Sequence, residues 1–139
     1  MDGKTNHCVH NINYHIVFCP KYRHKMIKGK VEDLVKQTVQ EICTISGYAL
    51  IQIETMPDHL HIFLSAPPTI APTEIVRKLK SITAIRILAT FPRIKKKFFW
   101  GSGLWSRGYY VGTAGNVSAE TIRKYIEAQK FPQKEVQIK

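Results

Sequence analysis

The segment 59–64 reads His-Leu-His-Ile-Phe-Leu, and this alternation constrains the fold more than any other part of the chain. Successive side chains of a β-strand point to opposite faces of its sheet. The three aliphatic side chains are therefore expected to face a layer of helices, whereas His59, His61 and Phe63 face the other way. The pattern predicts a sheet that is covered by helices on one face and carries these rings on the other.

Periodic segments on either side of this strand predict the rest of the fold. Runs of β-favouring residues predict four strands, at 10–19, 48–55, 59–66 and 104–114. Apolar residues at helical spacing predict three helices, over 31–46, 73–90 and 118–130, the first ending at Gly47 and the second at Phe91-Pro92. This order is typical of an α+β ferredoxin-like or RRM-like sandwich, an antiparallel sheet with helices on one face, followed here by a C-terminal helix. Residues 1–139 are predicted to form a single domain, with a core at about 10–130.

The same spacing predicts the buried faces of the first two helices. In the first helix the recurring apolar positions are Val31, Leu34, Val35, Val39, Ile42 and Ile45. In the second helix the basic residues are expected outside, and the residues expected inside are Ile75, Val76, Leu79, Ile82, Ile85, Ile87 and Leu88.

Positive charge is strongly concentrated in this chain. It has 21 lysines and arginines against 10 acidic residues, a formal charge of +11, and no acidic residue between Glu74 and Glu120. Such a field attracts polyanions, of which nucleic acid is the first candidate, although a solvated basic face without a dedicated ligand would show the same excess. The candidate nucleic-acid contacts are Lys21, Arg23, Arg77, Lys78, Lys80, Arg86, Lys95, Lys96, Lys97 and Arg107.

Four aromatic residues, Phe98, Phe99, Trp100 and Trp105, follow the lysines at 95–97. Aromatic rings interleaved with basic residues suit stacking on unpaired bases. Burial of both tryptophans in the core or at a dimer interface fits the sequence equally well, so both interpretations stay open.

The three cysteines form no Cys-x-x-Cys pair, which disfavours a disulfide framework or a zinc ribbon. No apolar run approaches the roughly 18 residues of a membrane span, and the N-terminus has no signal-peptide core. A cytoplasmic protein without a membrane partner is expected.

Chemistry is suggested by two pairs of residues. Two imidazoles on one strand face, such as His59 and His61, can bind one metal ion, although hydrogen-bonded surface histidines show the same pattern. Tyr125 and Gln129 lie one helical turn apart, so a hydroxyl nucleophile and an amide ligand would share a face. Ordinary packing of Tyr125 on an amphipathic helix explains that spacing as well. The residues alone leave these alternatives open.

Three segments resemble the single-tyrosine HUH transposases of the insertion-sequence 200/605 family, in which HUH denotes His-hydrophobic-His. They are Tyr-His-Ile-Val-Phe-Cys-Pro-Lys-Tyr-Arg from residue 14, Met-Pro-Asp-His-Leu-His from residue 56, and Leu-Trp-Ser-Arg-Gly-Tyr-Tyr-Val-Gly-Thr from residue 104, which continues into Lys-Tyr-Ile-Glu-Ala-Gln from residue 124. The resemblance covers roughly 10–130, in the order and spacing of the family.

The resemblance implies a function and a set of site residues. His59, His61 and Gln129 match the family's ligands for a divalent metal, Mg²⁺ or Mn²⁺, and Tyr125 matches its nucleophile. Members cut and rejoin single-stranded DNA at insertion-sequence ends through a 5′-phosphotyrosine, recognise hairpins near those ends, and form homodimers. The tyrosine helix can complete the partner's site in trans, with the segment 112–115 as a hinge.

Two alternatives remain beside this transposase. One is a repeat-associated relative with the same chemistry, and the other is a non-catalytic, RRM-like nucleic-acid-binding module. A binding module has no evident need for Tyr125 and Gln129 opposite a histidine pair, and the strands lack the usual aromatic RNP pattern. The sequence therefore favours the enzyme.

Overall fold

The computed structural model describes residues 11–98 and 103–113. The predicted helix at 118–130, with Tyr125 and Gln129, lies outside the described residues, as do Trp100 and the second half of the predicted hinge at 112–115. The strands are β1 (Ile12–Phe18), β2 (Ala49–Met56), β3 (His59–Ala66) and β4 (Tyr110–Thr113). The helices are α1 (Gly29–Ser46), α2 (Pro72–Thr90) and α3 (Pro92–Phe98), with a short 3₁₀ turn at Lys21–Arg23.

The four strands form one antiparallel sheet in the order β2-β3-β1-β4. The two central strands, β1 and β3, are adjacent although a helix and a further strand separate them along the chain. This order, with α1 and α2 each joining two strands, confirms the predicted α+β ferredoxin-like sandwich. The edge strand β2 carries a bulge between Leu50 and Gln52. A bulge in an edge strand discourages pairing with a further strand.

Strand β3 shows the predicted alternation. Leu60, Ile62 and Leu64 are fully buried against the helices, whereas His59, His61 and Phe63 are only partly buried. Complete burial of one such aliphatic side chain is worth about 1.5–3 kcal/mol. A shift of the pairing by one residue would exchange the two faces, so this alternation fixes which face carries the histidines.

Helix α1 ends as predicted, at Ser46. Gly47 adopts a left-handed conformation with φ of 81°, and its backbone N–H bonds to the carbonyl of Cys43. Glycine takes this conformation without the steric cost that a Cβ atom imposes. Burial is confined to a narrower stripe than the recurring apolar positions indicate, because Ile45 is 84% exposed.

Helix α2 corrects one prediction. Ile85, expected inside, is 69% exposed. The buried row runs along Ile75, Leu79, Thr83 and Ile87 at i, i+4 spacing, and Ile85 lies on the opposite side of that row. Thr83 takes a core position because its hydroxyl donates to the carbonyl of Leu79 at 2.7 Å.

The chain after α2 also differs from the prediction. Pro92 does not only end α2; it begins the short helix α3, a position that suits proline because the first turn needs no N–H donor. Trp105 is buried, donates from Nε1 to the hydroxyl of Thr83 at 2.9 Å, and packs edge-to-face on Phe18. The interpretation that Trp105 is buried in the core is therefore confirmed. The interpretation that Trp105 stacks on unpaired bases is wrong.

Cys19 and Cys43 are both buried, and no disulfide bond joins them. None of the helices in the described ranges combines the length and the apolar character that crossing a membrane requires.

Candidate active site

His59 and His61 lie together on the sheet face that α1 and α2 leave uncovered. Their ring centroids are 5.1 Å apart and the ring planes meet at 63°. Both residues stand at the start of β3, directly after the turn at Pro57 and Asp58. A strand supported by a rigid core holds such side chains more accurately than a loop would.

Asp58 orients the ring of His59. Its Oδ1 lies 2.9 Å from Nδ1 of His59. Its other oxygen, Oδ2, accepts hydrogen bonds from Nε of Arg23 at 3.0 Å and from a terminal nitrogen of the same guanidinium. Because an ionised carboxylate only accepts hydrogen bonds, Nδ1 of His59 carries a proton, and in the neutral form of this ring Nε2 is the nitrogen with the free electron pair.

The same contacts stabilise the ionised form of the Asp58 carboxyl group. Burial raises the pKa of this carboxyl, but the hydrogen bonds and charges of His59 and Arg23 outweigh burial and hold the pKa below its usual range. Arg23 is 16% exposed and adopts a left-handed backbone conformation with φ of 53°, which is uncommon outside glycine. Arg23 was predicted to contact nucleic acid, and its position shows a further task, the holding of Asp58.

His61 is held by a residue that the sequence did not indicate as part of the site. Its Nδ1 lies 3.0 Å from Nε2 of His15, on the neighbouring strand β1. In the sheet register His61 is opposite Val17 and His15 is opposite Phe63, so the two histidines are diagonal neighbours on one face. The two residues are 46 positions apart, and only the pairing of β1 with β3 brings them together.

Burial keeps these two imidazoles neutral. The pKa of His61 falls from an ordinary 6.5 to about 4, mainly because of burial and also because of the nearby His59 and His15. Burial likewise lowers the pKa of His15, against a smaller opposing effect of Glu54. A neutral imidazole has the electron pair that a metal ion needs.

The donor set fits a divalent metal. Both Nδ1 atoms are occupied by neighbours, which leaves both Nε2 atoms of His59 and His61 for an ion. Two imidazoles that share one ion at bond lengths of about 2.1 Å stand about 5 Å apart, close to the observed separation. Within the described ranges no cluster of three His, Cys, Asp or Glu residues forms a complete site. The predicted third ligand, Gln129, lies outside these ranges.

Two aromatic rings, those of Phe63 and Tyr110, contact His15 on the sheet face that carries the histidines. The ring of Phe63 stacks on that of His15 with centroids 4.1 Å apart, and Tyr110 meets it edge-on at 6.0 Å. Gly112, in the predicted hinge, is opposite His15 on β4. These contacts place His15 between the histidine pair and the strand that leads toward the predicted tyrosine helix.

Two basic clusters that are far apart in the sequence meet in one cleft. The cleft has a volume of about 310 Å³, an apolar floor that includes Met26 and Ile94, and four cationic residues in its lining, which are Lys25, Lys28, Arg93 and Lys97. Its first segment is bonded to the turn that carries Asp58, because the N–H of Ile27 donates to the carbonyl of Pro57 at 3.0 Å. Lys25, Lys28 and Arg93 were not among the predicted nucleic-acid contacts.

Several predicted DNA contacts have partners within the protein. Lys78 donates to the hydroxyl of Ser46 and lies over the ring of Tyr48. Arg86 pairs with Glu41. Lys80 donates to the carbonyls of residues 106, 107 and 108, and so anchors the segment before β4. The predicted contacts that are exposed at the surface are Arg77, Lys95, Lys96, Lys97 and Arg107.

The sequence matches the family of IS200-like transposases over residues 8–129. The chain belongs to that family. Its relatives include the ISDra2 transposase TnpA of Deinococcus radiodurans, 38% identical over 121 residues, which are 87% of this chain and 86% of that protein. The transposase for insertion sequence element IS200 of Salmonella typhimurium is 32% identical over 119 residues, 86% of this chain and 77% of that protein.

Solved structures with this fold include a protein of Deinococcus radiodurans R1 described as a candidate transposase. It is 34% identical and superposes with a TM-score of 0.83 over 91% of this chain and 96% of its own. The REP-associated tyrosine transposase bound to a REP hairpin is only 8% identical and superposes with a TM-score of 0.55, over 91% of this chain and 68% of its own. The second likeness concerns the fold alone.

Proposed function

We propose that this transposase cuts and rejoins single-stranded DNA at the ends of an insertion sequence, with Tyr125 as nucleophile. The observation that carries the proposal is the pair of imidazoles, His59 and His61, whose Nδ1 atoms are both engaged by neighbours and whose Nε2 atoms are left for one ion on the sheet face opposite α1 and α2. The match to the family extends over Tyr125 and Gln129, which supplies the nucleophile and a third ligand by similarity.

The proposed residues divide the work of the reaction. The phenol oxygen of Tyr125 attacks the scissile phosphorus, its proton passes to water or another base, and the bond from phosphorus to the 3′-oxygen breaks. That oxygen takes up a proton, so a free 3′-OH is released while the 5′-phosphate stays on Tyr125. Rejoining is the reverse attack by a 3′-OH, and it needs no ATP because the phosphodiester energy is kept in the tyrosine ester.

A divalent ion, Mg²⁺ or Mn²⁺, fits the proposed site. His59, His61 and Gln129 would hold it, and when bound it would polarise the phosphate and stabilise the charge of the transition state. Imidazole and amide ligands suit Mn²⁺ better than Mg²⁺, which prefers carboxylates and water. The carboxylate of Asp58 would orient the ligand His59 and would not bind the ion itself, because its oxygens are engaged by His59 and Arg23.

DNA is proposed to lie along the basic cleft. Four cationic residues around an apolar floor suit a phosphate backbone, and the bond from Ile27 to Pro57 ties the cleft to the turn before His59. A REP-associated transposase of the same fold binds a REP hairpin, which supports the proposal that hairpin DNA at the element's ends is the partner here. The same surface would also suit hairpin DNA if the protein were a repeat-associated relative with the same chemistry.

We further propose that the protein acts in the cytoplasm as a homodimer. One tyrosine per chain makes the two cuts of a transposition easiest to arrange with two subunits. In that assembly the helix carrying Tyr125 would reach the histidines of its own subunit or those of the partner.

The test is incubation of the protein with labelled single-stranded hairpin DNA and Mn²⁺ or Mg²⁺. We expect a covalent protein–DNA adduct that is lost on chelation and in Tyr125→Phe. Tyr48→Phe is the matched control, because Tyr48 is buried beside Lys78 at the end of α1, and its adduct should persist.

Two results would count against the proposal. An adduct that persists in Tyr125→Phe would show that another residue is the nucleophile. Tight hairpin binding without any adduct, with either metal, would instead favour the non-catalytic binding module.

A further inference from the structure

We infer that His15 is a positioning residue, which accepts a hydrogen bond from Nδ1 of His61 and thereby directs Nε2 of His61 at the metal. This inference deepens the proposed function and rests on it for the role of His61. It assigns a task to a residue that lies outside the HUH motif.

The ring of His15 lies within hydrogen-bond distance of the ring of His61. Nε2 of His15 and Nδ1 of His61 are 3.0 Å apart, a hydrogen-bond distance, so one of these nitrogens carries the proton. If His15 donated, the remaining proton of a neutral His61 would sit on Nε2 and block the ligand electron pair. If His61 donates, its Nε2 is free. Only the second arrangement is compatible with a metal on the open side of His61.

The surroundings of His15 hold it in place for this task. Its side chain is 4% exposed, its ring is stacked on Phe63 with centroids 4.1 Å apart, and Tyr110 contacts it edge-on. The backbone of β1 pairs with β3 on one side and β4 on the other, so the ring sits in the middle of the sheet. A ring this constrained loses little freedom when it accepts the bond from His61.

His15 parallels Asp58 on the other candidate ligand. Asp58 occupies Nδ1 of His59 at 2.9 Å, and His15 occupies Nδ1 of His61. Metal-binding histidines generally have such a partner on the second ring nitrogen, and its removal typically lowers metal affinity about 10–100-fold.

The experiment compares His15→Phe with His15→Gln. Phenylalanine keeps an aromatic ring beside Phe63 but removes the acceptor, whereas glutamine restores an acceptor oxygen near the position of Nε2. Mn²⁺ titration of the metal-free protein should show a dissociation constant raised about 10–100-fold in His15→Phe. His15→Gln should recover most of that loss.

A spectroscopic readout separates orientation from packing. Two-bond ¹H–¹⁵N correlation spectra of metal-free wild type should show His61 as the Nδ1–H tautomer, and His15→Phe should shift it toward Nε2–H. Phe63→Leu is the packing control, because it removes the stacked ring and leaves the nitrogen of His15. It should lower the melting temperature without changing the tautomer of His61.

Each outcome decides the question. An Nε2–H tautomer at His61 in wild type would overturn the inference even if both His15 variants failed to fold. So would wild-type Mn²⁺ affinity in a folded His15→Phe protein. Failure of wild type to bind Mn²⁺ would count against the proposed function, while the tautomer would still show whether His61 donates to His15.

Discussion

Oδ1 of Asp58 lies 2.9 Å from Nδ1 of His59, and Oδ2 of the same carboxylate is held by Arg23. The two oxygens are thus divided between an imidazole and a guanidinium, which fixes the carboxylate from both sides. The contact reaches from a basic turn near the start of the chain to the first residue of the HUH motif. It makes the orientation of His59 depend on residues outside that motif.

Loss of this carboxylate should weaken the metal site. In Asp58→Ala the Nδ1 proton of His59 has no fixed acceptor, so Mn²⁺ affinity should fall about 10–100-fold and adduct formation at limiting Mn²⁺ should fall with it. Calorimetric titration of the metal-free protein measures the effect. Asp33→Ala, on the exposed side of α1, is the matched control and should leave the affinity unchanged. Unaltered affinity in Asp58→Ala would mean that the carboxylate does not orient His59 for a metal.

The basic cleft should account for part of the salt dependence of DNA binding. Each phosphate contact contributes about 0.9 to the slope of log affinity against log salt on duplex DNA, such as a hairpin stem. The double variant Lys28→Gln/Arg93→Gln should therefore lower the slope by up to twice that amount, as measured by fluorescence anisotropy with hairpin DNA. Lys36→Gln, which removes a charge paired with Glu32 on α1, should leave it unchanged.

Arg23 offers a contrast to the cleft residues. Because its guanidinium is engaged by Asp58, Arg23→Gln should reduce Mn²⁺ affinity more than it reduces the salt slope. If Arg23→Gln lowered the salt slope by about 0.9 and left the Mn²⁺ affinity unchanged, Arg23 would be a DNA contact that does not support the metal site.

Two buried threonines should respond oppositely to the same substitution. The hydroxyl of Thr83 accepts from Trp105 and donates to Leu79, so Thr83→Val leaves a buried indole N–H unpaired and should cost about 1–3 kcal/mol. The hydroxyl of Thr38, equally buried in α1, has no hydrogen-bond partner within the described part of the chain. Thr38→Val should be neutral or stabilising. Urea denaturation of both variants measures the difference, and equal losses would contradict the assignment.

The metal-free protein should lose stability in mild acid. The pKa of His61 is lowered from 6.5 to about 4, mainly by burial, so between these values the unfolded chain binds more protons than the folded one. The free energy of unfolding should therefore be greatest above pH 6.5 and fall as the pH drops toward 4. The lowered pKa of His15 acts in the same direction.

Urea denaturation in the presence of a chelator, repeated across this pH window, measures the slope. His61→Gln should make the slope shallower, because it removes the group with the largest contribution. A free energy of unfolding that stays constant throughout the window in wild type would show that His61 is not buried as the structure has it.

Local patterns in the sequence predicted which sheet face carries the histidines and where α1 ends, because alternation and a glycine cap act over a few residues. They did not predict the partner of His61, since His15 reaches it only through the pairing of two strands. They placed Ile85 on the buried face of α2, because the apolar character of a residue does not reveal which side of a helix is covered. They did not place Thr83 in the core, because a polar residue suggests an exposed position. Its hydroxyl is buried because it accepts a hydrogen bond from Trp105 within the core.

The central claim is that the imidazoles of β3 and the phenol of Tyr125 meet around one cation. The most direct measurement is the anomalous scattering of Mn²⁺ in crystals of the protein with hairpin DNA. We expect a single peak bonded to Nε2 of His59 and of His61, with Tyr125 of the same or the partner subunit facing it across the phosphate. A peak elsewhere, or a Tyr125 distant from both imidazoles in every subunit pairing, would contradict the account.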